Sequence, residues 1–418
     1  MNILIFSTNS KYSDYPVGGA ETSLRLIAEK FAAIGENVVY VTQSRSKLPS
    51  VRVRMVRGVS VYEISPLKWP SFGGWLFQGL KERFARWQLL FFLVRIIRKE
   101  KIDIIHTYSE YPDTFDVLRI REKFFMDFKV VIRIAGLGWR GKVSSGNLKK
   151  EIEWVINQAD AVNFISEGSR DLVFEEMGKL DMQATPRSQV VMDIGFNNNV
   201  FSRKWVWPAR EPFQMAMVAS FNYNNQRQKR QDLLVEAMHL LRDRNMVLHF
   251  MGQGANFSRI RDLAGKYGLE DRVIFHGYVS QRKLEDILVA SHLFCLATNH
   301  EGVPKSMLEA MALGVPSIVS DVRPLNSYIQ DTVNGFLCPN TPHAWAGYIS
   351  DIADGRYDLR RISDNGVGYI KEKYIPDENI ITYRSAFLRL LRQSSSERFC
   401  PVVPGREPSP EDMAKPGT

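Results

Sequence analysis

Short apolar runs take turns with apolar positions at helical spacing along most of the chain, and that alternation predicts its elements. Residues 2–6 read as a buried strand. Leu24, Ile27, Ala28 and Phe31 recur at the helical period, and Gly35 suits the end of that helix. A second strand is predicted at 38–41. Residues 51–64 alternate and turn at Arg57-Gly58, so they read as a hairpin or as paired strands. Then come a long helix over 76–100, strands over 102–106 and 130–134, a helix over 147–158, a strand over 161–166 and a helix from Gly168. Residues 178–189 read as irregular and 190–194 as the last strand of this half.

The second half repeats the alternation. Strands are predicted at 215–219, 246–251, 273–275, 293–297 and 317–319, with helices near 230–243, 256–267, 281–291 and 304–313. Further helices follow at 341–354, 357–372 and 377–392, the last with an apolar stripe through Ile380, Tyr383, Phe387 and Leu391. Strands alternating with helices of this length mean parallel sheets covered on both faces. The expected class is α/β, with two Rossmann-like parallel-sheet domains at 1–195 and 213–375. Residues 196–212, with their Asn, Gly and Pro, read as the linker. The helix at 376–393 is expected to pack across the domains, back toward the first. Residues 394–418 are Ser, Pro, Gly and charge and are expected to be disordered.

The densest chemistry lies at 292–321. A strand ends at Thr298, Asn299 and His300; Glu301-Gly302 is turn chemistry; Pro304 suits a first helical turn; Met307, Leu308 and Met311 give the helix an apolar face; Gly314 and Pro316 end it. A helix N-terminus thus sits at the carboxyl end of a parallel strand, where open α/β sheets bind ligands and anions are favoured. Glu301 stands before the helix and Glu309 inside it, eight positions on and so about two turns in. A carboxylate can accept bonds from two vicinal hydroxyls, as on a ribose or hexose. The plainer alternatives are a helix-surface residue for Glu309 and a helix-dipole partner for Glu301.

Other candidates stand at strand ends. Lys229, with Arg227 and Arg230 as alternatives, precedes a helix and suits a diphosphate; a polar loop is the plainer reading. Gly252-Gln253-Gly254 can be a ligand loop or simply a tight strand-to-helix turn. Gly18-Gly19 brings bare backbone N–H groups to a helix start, although no G-x-G-x-x-G dinucleotide fingerprint is present. Glycines mixed with Arg140 and Lys142 at 136–142 suit anion contact in a loop. His106 ends an apolar strand, where a structural His is the alternative to a ligand. The sequence holds no Ser-His-Asp set, no metal-ligand cluster, no P-loop and no Asp-x-Asp, so no metal is expected.

Composition adds little except in one stretch. Apolar content of 44% and charge of 24% are globular averages. The 3 cysteines are widely spaced, which favours a reducing compartment; 2–6 already reads as core, so no signal peptide is expected; and no apolar stretch approaches a membrane span. The net charge is +9, yet residues 45–101 alone hold 13 Lys/Arg against 3 acids. They also carry Trp69, Phe72, Trp75, Phe77, Phe84, Trp87, Phe91 and Phe92. An anionic membrane surface or lipid-phosphate acceptor fits this segment, as does an ordinary helix with a solvated basic face. Nucleic acid is the other anionic class, and it is not expected as a partner.

Taken together, these residues resemble the GT-B-fold retaining glycosyltransferases of family 4, over nearly the whole chain to about residue 393. The stretch Glu301-Gly302-Val303-Pro304-Lys305-Ser306-Met307-Leu308-Glu309 matches the family's Glu-x7-Glu signature, followed by Ala310-Met311-Ala312-Leu313-Gly314-Val315-Pro316. Gly18-Gly19-Ala20-Glu21, Lys229-Arg230-Gln231-Asp232, Gly277-Tyr278-Val279 and Asn334-Gly335-Phe336-Leu337 are supporting matches. The resemblance implies two domains facing a cleft, with the second holding a nucleotide diphosphate sugar and the first the acceptor. Glu309 would bind the ribose and Glu301 would sit by the donor sugar. Lys229 and the backbone around Val303, Pro304, Lys305 and Ser306 would hold the diphosphate, with Gly19 closing over it. Glu301 and Lys229 would carry catalysis; Gly18, Arg227, Gly252, Gly254 and His106 are further substrate-binding candidates.

Two places depart from the pattern. Ser220 stands where such enzymes often have an Arg beside the Lys, and Ala135 where many have a His. The implied activity is retaining transfer of a hexosyl unit to a glycan or lipid-linked acceptor, without a cofactor, in surface polysaccharide or glycolipid synthesis. The implied place is cytoplasmic, at the inner face of a membrane. A non-catalytic nucleotide-sugar-binding subunit and a sugar phosphorylase or epimerase of the same fold are the alternatives.

Overall fold

The structure is a computed structural model. It describes residues 1–8, 12, 19–44, 49–67, 78–108, 110–134, 136–146, 148–192, 205–208, 211–221, 229–301, 304–374 and 376–393. The chain folds as two α/β domains, each around a largely or wholly parallel sheet.

The first sheet is built from β1 (Asn2–Phe6), β2 (Asn37–Gln43), β3 (Ser50–Val56), β4 (Val59–Ser65), β5 (Ile104–Thr107), β6 (Lys129–Ile134), β7 (Ala161–Phe164) and β8 (Gln189–Val191). Its order is β3-β4-β2-β1-β5-β6-β7-β8, parallel except where β3 runs antiparallel to β4. The alternating stretch is therefore a hairpin. Its turn residues Arg57 and Gly58 both take positive φ (48° and 79°), as a two-residue turn between right-twisted strands favours. The apolar strands β1 and β5 are buried on both faces, which explains their lack of alternation.

The helices of this domain are α1 (Gly19–Ala33), α2 (Gln78–Lys99), α3 (Phe115–Lys123), α4 (Gly138–Gly146), α5 (Lys149–Gln158) and α6 (Glu167–Lys179). Two differ from expectation. Residues 115–123 were given no element by pattern and form α3. The stretch 136–142, expected as a loop, turns into α4 at Gly138. The predicted strand 190–194 is β8, which ends at Val191; residues 193–194 lie outside the described ones.

The second sheet contains β9 (Phe213–Val218), β10 (Met246–Met251), β11 (Val273–Gly277), β12 (Leu293–Leu296), β13 (Ser317–Ser320) and β14 (Phe336–Cys338). It is parallel throughout, in the order β11-β10-β9-β12-β13-β14. Its helices are α7 (Gln231–Leu240), α8 (Phe257–Lys266), α9 (Gln281–Ala290), α10 (Lys305–Ala312), α11 (Pro342–Ala353) and α12 (Leu359–Lys373). β14 was not predicted, since three residues are too few to carry a pattern. Within the expected linker, residues 205–208 are bound to the second domain. The Trp205 backbone N–H donates to the Leu313 carbonyl and its indole N–H to the Ser291 carbonyl, both at 2.8 Å. Trp207 meets the His292 ring edge-on at 4.9 Å.

The last helix, α13 (Pro376–Arg392), returns to the first domain. Ile380, Tyr383, Ala386, Phe387 and Leu390 join one core with Leu24, Ile27 and Phe31 of α1, and the Phe387 ring stacks on Phe31 at 5.2 Å. Arg384 bonds one oxygen of Glu36, whose other oxygen takes the N-terminal ammonium at 2.5 Å. The first fold unit is thus completed by a helix encoded at the far end of the chain. Residues 394–418 lie outside the described ones.

Candidate functional site

At the carboxyl edge of the second sheet, neighbouring strands β9 and β12 deliver their following loops to one place. Lys229 bridges to Thr298 in an isolated antiparallel pair, and the Arg230 N–H donates to the Ala297 carbonyl at 3.0 Å. Residues 229 and 230 are thereby pinned against the end of β12. The buried Gln231 amide anchors them from behind by donating to the Ser220 carbonyl at 2.9 Å. The result is an ion pair between Lys229 and the buried Glu301. Arg230 is engaged with Asp232 at 3.0 Å. Arg227, Gly302 and Val303 lie outside the described residues.

Helix α10 starts just beyond. The Pro304 carbonyl accepts from the Met307 and Leu308 N–H groups at 2.9 and 3.0 Å, and Lys305 and Ser306 form the exposed side of the first turn, half-buried. Glu309 lies about one turn inside α10, half-buried, because the helix begins four residues later than Glu301. The apolar stripe Met307, Leu308 and Met311 turns the opposite side into the core.

A neutral network braces the strand ends that carry this pair. The Thr298 N–H donates to Ser320 Oγ at 2.9 Å, the Ser320 hydroxyl donates to Asn340 Oδ1 at 2.5 Å, and the Asn340 amide donates to the Thr298 carbonyl at 2.8 Å. Thr298 and Ser320 are fully buried. None of the three was singled out from sequence; their signal was only that each closes an apolar strand with a small polar group.

Gly252 is required by packing. Its φ is +138°, and a Cβ there would stand 2.0 Å from the Ala219 carbonyl oxygen. Its N–H donates to the Gly277 carbonyl at 2.8 Å, and the Gln253 carbonyl accepts from the Phe221 N–H at 3.1 Å. Gly254 follows with φ +158°. The tight strand-to-helix turn therefore accounts for this Gly-x-Gly.

On the first domain, Gly19 is the first residue of α1, while Gly18 lies outside the described residues. Thr8 and Tyr12, described residues ahead of α1, are each tied to the domain. Thr8 donates its N–H to Asp113 at 3.1 Å, and Asp113 also takes Arg86 at 3.0 Å. The Tyr12 hydroxyl donates to Glu29 at 3.3 Å, while Arg54 bonds the Tyr12 carbonyl. Arg140, in the first turn of α4, pairs with Glu176 at 3.1 Å, and Lys142 donates to the Tyr111 carbonyl at 2.9 Å. Both cations are thus on a helix with protein partners, not in an open loop.

His106 is a correction. It is fully buried and hydrogen-bonds the Tyr383 hydroxyl of α13 through Nε2 and the Thr107 carbonyl through Nδ1. Burial, with Arg133 nearby, lowers its pKa to about 3, so it is a neutral packing group under α13 with no face toward substrate. His300, which in sequence shows only as a polar strand end, lies closer to the site. It directly precedes Glu301, and its pKa is lowered first by burial; Glu301 opposes this, while Lys229 and Arg140 add to it. The charge of Arg140 is felt there from the other domain. The domains also meet where Arg323 pairs with Glu175 at 2.7 Å, and where Gly168 lies so close to Ser327 that a Cβ would come within 2.7 Å of its hydroxyl. The strand end that carries Glu301 is thus within reach of the first domain's charge.

Among the described residues no group of His, Cys, Asp and Glu could hold a metal ion. Among them, too, no helix is long and apolar enough to cross a membrane.

Comparison with known proteins decides the family. The profile described as Glycosyl transferases group 1 matches residues 208–367, and that described as Glycosyltransferase Family 4 matches residues 17–181. The chain is a GT-B glycosyltransferase of family 4. Each domain of this transferase is covered by one of the two profiles. It is 24% identical over 397 residues to an uncharacterized glycosyltransferase of Methanocaldococcus jannaschii, covering 89% of this chain and 96% of that one. It is 22% identical over 315 residues to the N-acetyl-alpha-D-glucosaminyl L-malate synthase of Bacillus anthracis, covering 73% and 80%. Among solved structures, the sucrose-phosphate synthase of Thermosynechococcus elongatus superposes with a TM-score of 0.75 at 20% identity, over 94% of this transferase and 100% of that chain. Anabaena HepE, solved with UDP and glucose, superposes with a TM-score of 0.68 at 16% identity, over 94% and 100%. At these identities the superpositions establish the fold.

Proposed function

We propose that this transferase moves a hexosyl unit from a nucleotide diphosphate sugar to a glycan or lipid-linked acceptor with retention of anomeric configuration. The observation that carries the reading is the Lys229–Glu301 pair, set at adjoining strand ends before the N-terminus of α10. The Anabaena neighbour, solved with UDP and glucose, supports a nucleotide-sugar donor.

The donor diphosphate exchanges with Glu301 for the Lys229 ammonium and lies against the first turn of α10, Pro304 to Ser306, where helix and cation both favour negative charge. Glu301, released from the lysine, turns toward the sugar, and Glu309 takes the ribose hydroxyls. As the bond from the anomeric carbon to the diphosphate oxygen breaks, charge builds on that oxygen, and Lys229 stabilises it. The acceptor hydroxyl attacks the same face of the oxocarbenium-like centre, and its proton passes to the departing diphosphate oxygen. No protein nucleophile and no divalent ion enters the scheme. Family analogy places the reaction in surface polysaccharide or glycolipid synthesis, at the cytoplasmic face of a membrane.

A thermal-shift screen of UDP-, GDP- and ADP-sugars identifies the donor, since ligand bound to the native state raises the midpoint. Lys229→Ala lowers kcat by about 10²- to 10³-fold, the usual cost of removing one charge-stabilising group. The wild-type rate should be unchanged by EDTA and independent of inorganic phosphate. An inverted linkage in the product, or an undiminished rate in Lys229→Ala, would sink the mechanism.

A further inference from the structure

We propose that the outward face of α2 and the turn after α3 form one surface that docks on an anionic lipid bilayer, setting the rim of the cleft at the membrane. The inference rests on the lipid-linked acceptor reading and gives it a location.

Helix α2 carries six basic residues against one acid, Glu82. Its outward row is Arg83, Trp87, Phe91, Arg95 and Arg98, spaced at three and four so that all share one side. Trp87 is 61% exposed and Phe91 41%. They are not isolated: Trp87 stacks on Phe84 at 6.1 Å and on Phe91 at 5.8 Å, and the Arg95 guanidinium covers Phe91 at 4.4 Å. The row continues onto a second element. Arg98 reaches over the ring of Phe124, 5.7 Å from its centroid, and Lys123 flanks the same ring at 5.9 Å. Phe124 is 41% exposed and Phe125 96%, the latter held with φ 49°.

Stacking and cation–π contacts contribute only modestly to such rings, and a row of large aromatics left this exposed is unusual for a face that meets water alone. Rings that insert at a headgroup boundary beside cations that meet lipid phosphates account for both features. The nearby acids do not cancel the charge: Glu122 is paired with Arg119, and Glu100 with Tyr62 and Lys99. Arg86, though on the same helix, is not part of this face. It is bound to Asp113 and Asp116, and Asp113 takes the Thr8 N–H just past the end of β1. That tie fixes the start of α2 at the cleft rim. From Arg83 to Arg98 the row then runs about 22 Å down the domain. A bilayer against it would lie beside the acceptor entrance.

The test is co-sedimentation with phosphatidylcholine vesicles, with and without phosphatidylglycerol. The wild-type chain should sediment only with the anionic vesicles. Arg83→Glu/Arg95→Glu/Arg98→Glu should bind about a hundredfold more weakly, from three cations lost at the surface. Trp87→Ser/Phe125→Ser should bind at least about tenfold more weakly. All these side chains are exposed, so donor-induced thermal shifts should match wild type and show that the fold and donor site survive. A wild-type chain that stays in solution with anionic vesicles overturns the proposal, as does a charge-reversed chain that sediments like wild type. If the aromatic variant alone binds like wild type, insertion is overturned. Donor hydrolysis in vesicle-free buffer reads the transfer chemistry separately, so a failure there is not mistaken for a failure of docking.

Discussion

At the carboxyl edge of the second sheet, small neutral side chains bond to one another and to a strand carbonyl: Thr298, Ser320 and Asn340 close a ring that braces the strand ends beside the Lys229–Glu301 pair. At the matching edge of the first sheet the ties are charged, with Asp113 holding Arg86 and Thr8, and Glu176 holding Arg140. Neutral bonds keep their geometry when an anion arrives. Partly exposed ion pairs are weak and can trade partners. On the donor side the strand ends therefore stay put while only the Lys229–Glu301 pair changes partners, whereas in the first domain the charged ties themselves rearrange around what the cleft receives. Their cores differ in the same sense. The second sheet is covered by helices encoded around it, whereas the first depends on α13 from the end of the chain.

The strongest way to break that comparison is to remove α13's hold. Phe387 is fully buried against Phe31 and Tyr383. Phe387→Ala should cost about 3–5 kcal/mol, measured by urea unfolding. The thermal shift given by the donor should persist, because the second domain's core does not include this ring. A loss below about 1 kcal/mol would mean that the first domain stands without α13.

Next in size is a pH effect centred on His106. Burial holds its folded pKa near 3, against an ordinary value of 6.5. The unfolded chain therefore binds a proton below about pH 6.5 that the folded chain refuses. The stability is fully present above 6.5 and is lost as pH falls toward 3. From pH 6.5 to 4.5 the loss is roughly 2–3 kcal/mol. His249, lowered to about 4 first by burial and then by His276, adds to it in the second domain. Unfolding midpoints across this range should slope less in His106→Gln than in the wild type; an unchanged slope would remove His106 from the account.

The second domain was the more legible half, and the reason is locality. The Glu301-to-Pro316 stretch contains its own turn, helix start and helix stop, so the element is legible in sequence, although α10 starts at Lys305 and Glu309 lies about one turn in, not two. The ion pair with Lys229, 72 positions away, became visible only when β9 was seen beside β12. His106 reads in sequence as either a ligand or a structural residue, because its partner Tyr383 is 277 positions away and nothing near His106 announces it. Thr298, Ser320 and Asn340 were missed for the same reason, being ordinary polar residues until three strand ends meet. Helix α4 was read as a loop because glycine content outweighed Trp139, which is buried against the first core. The face of α2 was half legible: its charge was plain, but not that Arg86 turns inward while Phe124 and Phe125 extend the surface.

The smallest predicted effect is also the sharpest test of the comparison. Ser220 occupies the place where similar enzymes put a second cation, and its carbonyl is taken by Gln231. The candidate we propose to supply that charge from the other domain is Arg140. It stands in the first turn of α4, paired with Glu176, and its field reaches His300 beside Glu301. If the first domain rearranges around the cleft's contents, the guanidinium would leave Glu176 for the diphosphate only when the cleft is filled. Arg140→Gln should then lower kcat by about tenfold, the loss of one charged hydrogen bond, while leaving donor affinity nearly unchanged. Glu176→Gln, which frees the guanidinium, should not lower kcat. Steady-state kinetics beside a donor titration separates the two quantities. A variant that weakens donor binding with kcat intact would place Arg140 in the resting donor site, and the division between a fixed half and a responsive half would fail.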